Sequence, residues 1–184
     1  HADTRYAKIA NMNEDCRPTL YPRPRTEAGP ALRLGWLAYV AFVVYGSLVP
    51  LDFQPRPWDE AWRLFQHIRL LDVGAQGRAD WIANGVLYLP LAFLTAHVLA
   101  GRRARPSALA LVLALLFSLT LAVAVEFVQL FFPPRTVSLN DLLAEGIGSL
   151  LGVALAAAWG GRFRRLLGTL AGDPAQLALR LAKA

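Results

Sequence analysis

The sequence has little of what makes a soluble enzyme legible. Its 184 residues include one cysteine, one methionine and three histidines, and only 17% are charged. The lone Cys16 excludes an intrachain disulfide and any multi-cysteine metal site. It stands in Asn13-Glu14-Asp15-Cys16, without the small and apolar residues that precede a lipid-modified cysteine, and is read as incidental. There is no Gly-x-Ser-x-Gly elbow and no evident pairing of a nucleophile with a base. The residues therefore point to no enzyme, and neither a cofactor nor a metal is expected.

Charge is missing in long blocks. None occurs from Leu34 to Leu51, from Trp81 to Gly101, from Pro106 to Val125 or from Gly146 to Gly161, the last reaching spanning length when counted from Leu142. A helix rises about 1.5 Å per residue, so ~20 residues cross a ~30 Å hydrocarbon layer. With 55% hydrophobic residues and a mean hydropathy of +0.38, a soluble bundle would have to bury these blocks on every side. The chain reads as an all-α integral membrane protein with four transmembrane helices. The first block is too long for a signal-peptide core and lacks a small-residue cleavage site after it, so it reads as a retained anchor.

The net charge of +6 is not a nucleic-acid signature, because the arginines form no stripe with interleaved aromatics and collect beside the spans instead. With four spans, the N-terminal segment, the 101–105 turn and the C-terminal segment share one face, and they hold 14 of the 19 Lys and Arg. Arg102, Arg103, Arg105, Arg162, Arg164 and Arg165 are all close to span ends. The positive-inside rule then places both termini in the cytoplasm, as expected for a multi-pass protein of a bacterial inner membrane.

Three regions follow. Residues 1–31 are a polar, Pro- and Arg-rich cytoplasmic segment (Tyr21-Pro22-Arg23-Pro24-Arg25), extended by itself in water. If it is ordered in the protein, a partner or a lipid surface must hold it. Residues 32–161 form the transmembrane domain, and 162–184 a basic cytoplasmic segment in which a short surface helix is expected over 174–184. The outer connection from Asp52 to Asp80 is long enough for a helix of its own. Pro57 suits a first turn, with Asp59 and Glu60 near the positive helix end. Trp58, Ala61, Trp62, Phe65 and Ile68 fall at helical spacing, as in an amphipathic helix lying in the headgroup region or packed on the bundle. In the fourth span, Gly148 and Gly152 stand one turn apart and permit close helix packing.

Several polar residues are expensive where they stand. Asp80 and Asn84 open the second span on one face, Glu126 and Gln129 lie near the end of the third, and Asp141 and Glu145 share a face at the start of the fourth. If the third span exits near Pro133, Glu126 lies roughly 10 Å below the surface. Arg135 sits in the connection between, and Ser138 and Asn140 can add hydrogen bonds. In the topology above all of these converge on the outer leaflet. Ionisable side chains inside a membrane face the bundle interior and find partners there. Two readings stay open. One is a buried ion-pair and hydrogen-bond network that registers the helices. The other is a site for a lipid headgroup or phosphate, for a proton or ion, or for Mg²⁺ or Ca²⁺ held by carboxylate oxygens. His97 is expected near the inner end of its span and His67 on the outer helix, which disfavours a zinc hydrolase.

Tyr45-Gly46-Ser47-Leu48-Val49-Pro50, Asp80-x₃-Asn84-x₅-Pro90, Glu126-x₂-Gln129-x₅-Arg135-x₂-Ser138-x₂-Asp141 and the Gly-rich helix after them resemble the VanZ-like membrane proteins, over roughly residues 35–160. Two positions depart from the family pattern: Glu145 where Asn is usual, and Ala92 where a Gly follows the span-two proline. The family is named for a glycopeptide (teicoplanin) resistance protein. The resemblance implies an envelope protein whose outer cluster (Asp80, Asn84, Glu126, Gln129, Arg135, Ser138, Asp141, Glu145) handles a lipid or cell-wall component or locks its helices. The competing expectation is an accessory subunit of a larger membrane complex, docked through its N-terminal segment. Membrane lipids and other membrane subunits are the expected partners, and nucleic acid is not.

Overall fold

A computed structural model describes residues 28–70, 75–101, 103, 105–133 and 135–170, with backbone only at 28, 75–78, 80, 164 and 168–170. The expected N-terminal docking segment lies outside the described residues through Glu27, as does the helix expected over 174–184. Helix α1, Ala28–Leu48, begins with Gly29-Pro30; proline in a first turn lacks only an N–H that had no helical acceptor. After it comes a short helix α2, Trp58–Gln66, and then α3, Ala75–Leu99, which carries Pro90 inside. Helix α4, Ala108–Gln129, is capped by Ser107, whose side chain accepts from the Ala110 amide at 3.3 Å. Helix α5 runs from Leu139 to Leu170. No strand occurs among the described residues.

Among the described residues, four helices are long and apolar enough to cross a membrane: Gly29–Leu48, Trp81–Leu99, Ala108–Gln129 and Leu139–Phe163. The protein is thus an all-α membrane protein with four spans and an amphipathic helix in the first connection. Two helices outrun the charge-free blocks. Helix α3 starts at Ala75, ahead of Asp80, and α5 passes through Arg162-Phe163-Arg164-Arg165 without a break. Arginine is a good helix former, so charge marks the edge of the hydrocarbon rather than the end of the helix. Helix α3 stops instead where Gly101 adopts φ +60, in the left-handed region that side chains disfavour.

The packing is that of a membrane bundle, with small residues inside and large ones outside. Ala96, Ala114 and Ala156 meet in one buried layer, and Val43, Tyr88, Leu91 and Ala122 in another. Phe42, Val86, Leu109 and Leu150 are exposed on the outer face of the helices, where lipid would cover them. Association in lipid depends on close van der Waals packing and interhelical hydrogen bonds rather than on apolar burial. Helices α3 and α5 share the most extensive contact. A Cβ on Gly148 would strike the Gly85 carbonyl oxygen, and one on Gly152 would strike the Leu89 carbonyl oxygen and stand 3.0 Å from the Ala92 Cβ. Helix α1 is tied to α3 by Trp36 Nε1–H donating to Thr95 Oγ1 and Tyr39 O–H donating to the Leu87 carbonyl, each at 2.9 Å.

Helix α2 uses both of its expected faces. Ala61 is fully buried, while Trp58, Trp62 and Phe65 ring Phe127 at the end of α4 with centroids 5.6, 6.2 and 5.5 Å away. Trp58 and Trp62 still expose more than half of their surface. Asp59 and Glu60 stand in its first turn and pair with Arg63 at 3.5 Å and Arg56 at 3.2 Å. The Gln54 amide donates to the Phe131 carbonyl at 2.8 Å, and the Leu139 amide to the Arg69 carbonyl at 3.2 Å. These bonds fix the first connection over the α4–α5 connection, at the end of the bundle where the polar residues gather.

Candidate functional site

Ser138 stands immediately before the first residue of α5, and Asp141 is three residues on. The Asp141 amide donates to Ser138 Oγ at 3.3 Å and the Ser138 hydroxyl donates to Asp141 Oδ2 at 2.7 Å. Together they close a capping turn that satisfies an otherwise orphaned helix-end donor. The other Asp141 oxygen, Oδ1, accepts from Asn84 Nδ2 on α3 at 2.8 Å. One carboxyl thus joins the start of α5 to the start of the second span. Asn84 and Asp141 remain half-buried while Ser138 is buried, so Asn84 and Asp141 are the accessible part of this chain of three residues.

Behind it lie three fully buried groups. Tyr88 is one turn beyond Asn84 on α3, Glu126 is in the last turn of α4, and Glu145 is one turn beyond Asp141 on α5. All are at most 2% exposed. The Tyr88 hydroxyl, Glu126 Oε2 and Glu145 Oε2 have no hydrogen-bond partner among the described residues. Tyr88 is close enough to both glutamates to feel their charge. Glu145 senses Glu126 and Asp141, and Glu126 senses Asp141 and Arg135, with the Ser138 amide facing its carboxyl. Asn140 is buried in the same turn of α5.

The remaining sequence-derived candidates are distributed differently. Gln129 leaves the acidic group and donates from Nε2 to the Ser47 carbonyl at 2.9 Å, tying the end of α4 to the end of α1. Arg135 is half-buried in the α4–α5 connection. The direct ion pairs found among the described residues lie at α2, and Arg135 takes part in none. Asp80 is in the first turns of α3, and its side chain lies outside the described residues. Gly148 and Gly152 are on the α3–α5 seam described above. Among the described residues no group of three or more His, Cys, Asp or Glu is arranged to hold a metal ion.

Tyr88 and Gly85 were not singled out from sequence, and Ser47 stood there only within the Tyr45–Pro50 motif, with no site role. A signal existed for Tyr88, four residues after Asn84 and so on the same helical face. It was hidden because tyrosine reads as apolar in a hydrophobic block. Gly85 is a lone glycine with no sequence mark of its contact with Gly148. Ser47 contributes a backbone carbonyl, which no residue type announces.

The profile of the VanZ/LLP1 family matches residues 32–160. The chain belongs to the VanZ/LLP1 family. Among curated proteins and solved structures, nothing matched. The stretch matched to VanZ/LLP1 contains every member of the cluster, from Asn84 to Glu145, and the four spans apart from the first residues of α1 and the last of α5. In this VanZ/LLP1 protein the cluster is closed to bulk solvent at Tyr88, Glu126 and Glu145 and open at Asn84 and Asp141. Such an arrangement can accept hydrogen bonds from a polar group arriving at one end of the bundle.

Proposed function

We propose that this VanZ/LLP1 protein is a non-enzymatic envelope protein of the bacterial inner membrane that binds a lipid or lipid-linked cell-wall component through the Asp141 cluster. The observation that carries this reading is the unused bonding capacity of the Tyr88 hydroxyl, Glu126 Oε2 and Glu145 Oε2 behind the half-buried Asn84–Asp141 pair. A buried polar atom without a partner costs ~1–3 kcal/mol, so a cluster serving only to register helices would close its bonds internally. The basic residues favour cytoplasmic termini, with 14 of 19 Lys and Arg on that face. In this orientation the cluster opens toward the outer leaflet, under the tryptophans of α2.

The test is native mass spectrometry of the protein purified in mild detergent, comparing wild type, Asp141→Asn and the double variant Glu126→Gln/Glu145→Gln. The expected result is a co-purifying lipid or wall component that both variants lose while melting stays near normal. Unchanged bound species, with stability alone reduced, would make the cluster a helix lock. A membrane protein co-eluting at fixed stoichiometry, with no retained lipid, would favour the accessory-subunit reading instead.

A further inference from the structure

We infer that the ligand is an aminophospholipid, whose ammonium meets Asp141, whose phosphate meets Arg135 and whose acyl chain lies in the crevice outside the α3–α5 seam. This rests on the binding role proposed above and names the ligand class. Three features carry it.

The first is charge. Three carboxyl groups, Glu126, Asp141 and Glu145, gather at one end of the bundle, and each lies within electrostatic range of another. Arg135 is within electrostatic range of Glu126 and makes no direct ion pair among the described residues. A site with carboxyl oxygens of spare acceptor capacity inside and a guanidinium at its rim matches a zwitterion, the ammonium donors inward and the phosphate outward. Asp141 uses one bond per oxygen, and a carboxylate has about four acceptor positions in all. It can therefore accept N–H donors without releasing Asn84 or Ser138. A primary ammonium supplies such donors and a quaternary one does not.

The second is shape. Beside the backbone contact of Gly85 with Gly148, a crevice of about 160 Å³ runs along the outside of the α3–α5 seam. Trp81, Val86, Ile147 and Leu151 form its walls, and its lining is wholly apolar. From Trp81 to Leu89 it follows α3 for about 12 Å, the scale of an extended stretch of acyl chain.

The third is continuity. On α3 the crevice begins at Trp81, one turn before Asn84, and on α5 at Ala144, one turn beyond Asp141, so its mouth and the polar cluster lie at the same end of this helix pair. A transmembrane helix of another chain would be too wide for this groove and brings no headgroup to the cluster. One lipid occupies both.

Retained lipid is counted by native mass spectrometry after the full-length protein in detergent is offered phosphatidylethanolamine, phosphatidylcholine and phosphatidylglycerol separately. Charge-assisted hydrogen bonds predict about tenfold stronger retention of phosphatidylethanolamine than of either other lipid. Asp141→Asn and Glu145→Gln should each erase that preference, whereas Arg135→Ala, which removes a phosphate contact common to the three lipids, should weaken retention of them all. Val86→Trp and Ile147→Trp, which fill the crevice from its lipid side, should weaken retention of all three lipids and leave the preference intact. Equal retention of the ethanolamine and choline lipids overturns the ammonium assignment. If phosphatidylglycerol or a lipid-linked glycan is instead held in a cluster-dependent way, the binding role stands and only the ligand class fails. If no lipid depends on any cluster residue, the binding role itself fails. Unaltered retention in both tryptophan variants, or cross-linking of a second chain along Val86 and Ile147, overturns the crevice.

Discussion

Asn84 Nδ2 donates to Asp141 Oδ1 at 2.8 Å, and this bond joins α3 to α5 just beyond the point where Gly85 and Gly148 bring their backbones into contact. Polar and steric registration of the same helix pair thus adjoin each other on α3 and lie about two turns apart on α5. Removing the amide leaves Asp141 with Ser138 as its side-chain donor, on a carboxyl already near two others. Asn84→Ala should lower stability by about 1–3 kcal/mol, seen as a lower melting temperature in detergent. Asn84→Asp should be worse, because it sets a carboxylate against Asp141 where an N–H donor stood. Wild-type melting in both variants would show that this bond contributes nothing to the bundle.

Glycines along the spans should differ sharply in tolerance. A Cβ at Gly148 meets the Gly85 backbone, which cannot rotate away as a side chain would, whereas Gly35 and Gly46 have nothing within 4 Å of the corresponding position. Gly148→Ala is expected to cost at least ~1–3 kcal/mol through forced separation of α3 and α5. Gly35→Ala should be neutral or slightly stabilising, since alanine is the better helix former. Size-exclusion profiles and melting curves on the two variants check this, and equal behaviour would mean the seam is looser than it looks.

The contrast between these glycines shows what the sequence could and could not disclose. The spans were legible because absence of charge over ~20 residues has one economical explanation in lipid. The helix in the first connection was legible because Pro57, Asp59 and Glu60 mark a start and the aromatics repeat at helical spacing. Neighbours within one helix, such as Asn84 with Tyr88 or Asp141 with Glu145, follow from periodicity alone. Pairing between helices does not. Whether Asn84 meets Asp141 depends on the rotation and offset of α3 against α5, and these are set by backbone contact at Gly85 and Gly148. Gln129 illustrates the same limit: it stands three residues from Glu126, yet its partner is the Ser47 carbonyl at the end of α1. That Arg135 makes no direct ion pair among the described residues was equally hidden, because chain proximity to carboxylates does not fix where a long side chain goes.

Orientation can be tested apart from function. In a Cys16→Ser background, cysteines are placed at Gln54, exposed after α1, and at Arg103, exposed in the turn between α3 and α4. A membrane-impermeant thiol reagent applied to intact cells should reach Gln54→Cys and not Arg103→Cys, following the basic-residue bias. The opposite labelling pattern would place the cluster in the cytoplasmic leaflet, and an outer-leaflet ligand would then be ruled out.

The most informative substitution is Arg135→Ala, because its two possible roles predict opposite balances of stability and binding. Breaking a buried ion pair costs ~3–5 kcal/mol, whereas an exposed or indirect one is worth about 0–1 kcal/mol. Arg135 is half-buried, senses the charge of Glu126 and forms no direct pair among the described residues, which places it in the second class. Arg135→Ala should therefore melt within about 1 kcal/mol of wild type and still lose the lipid that wild type retains. Glu126 is 1% exposed with one oxygen unpartnered, so Glu126→Gln keeps its shape and should likewise fold. The double variant separates the roles. If Arg135 serves a ligand, adding Glu126→Gln does not restore binding, and melting stays near normal in all four proteins. If Arg135 instead neutralises Glu126 as part of the fold, Arg135→Ala alone is unstable and Glu126→Gln rescues it. Thermal melting and lipid retention measured on the same four proteins decide between these outcomes.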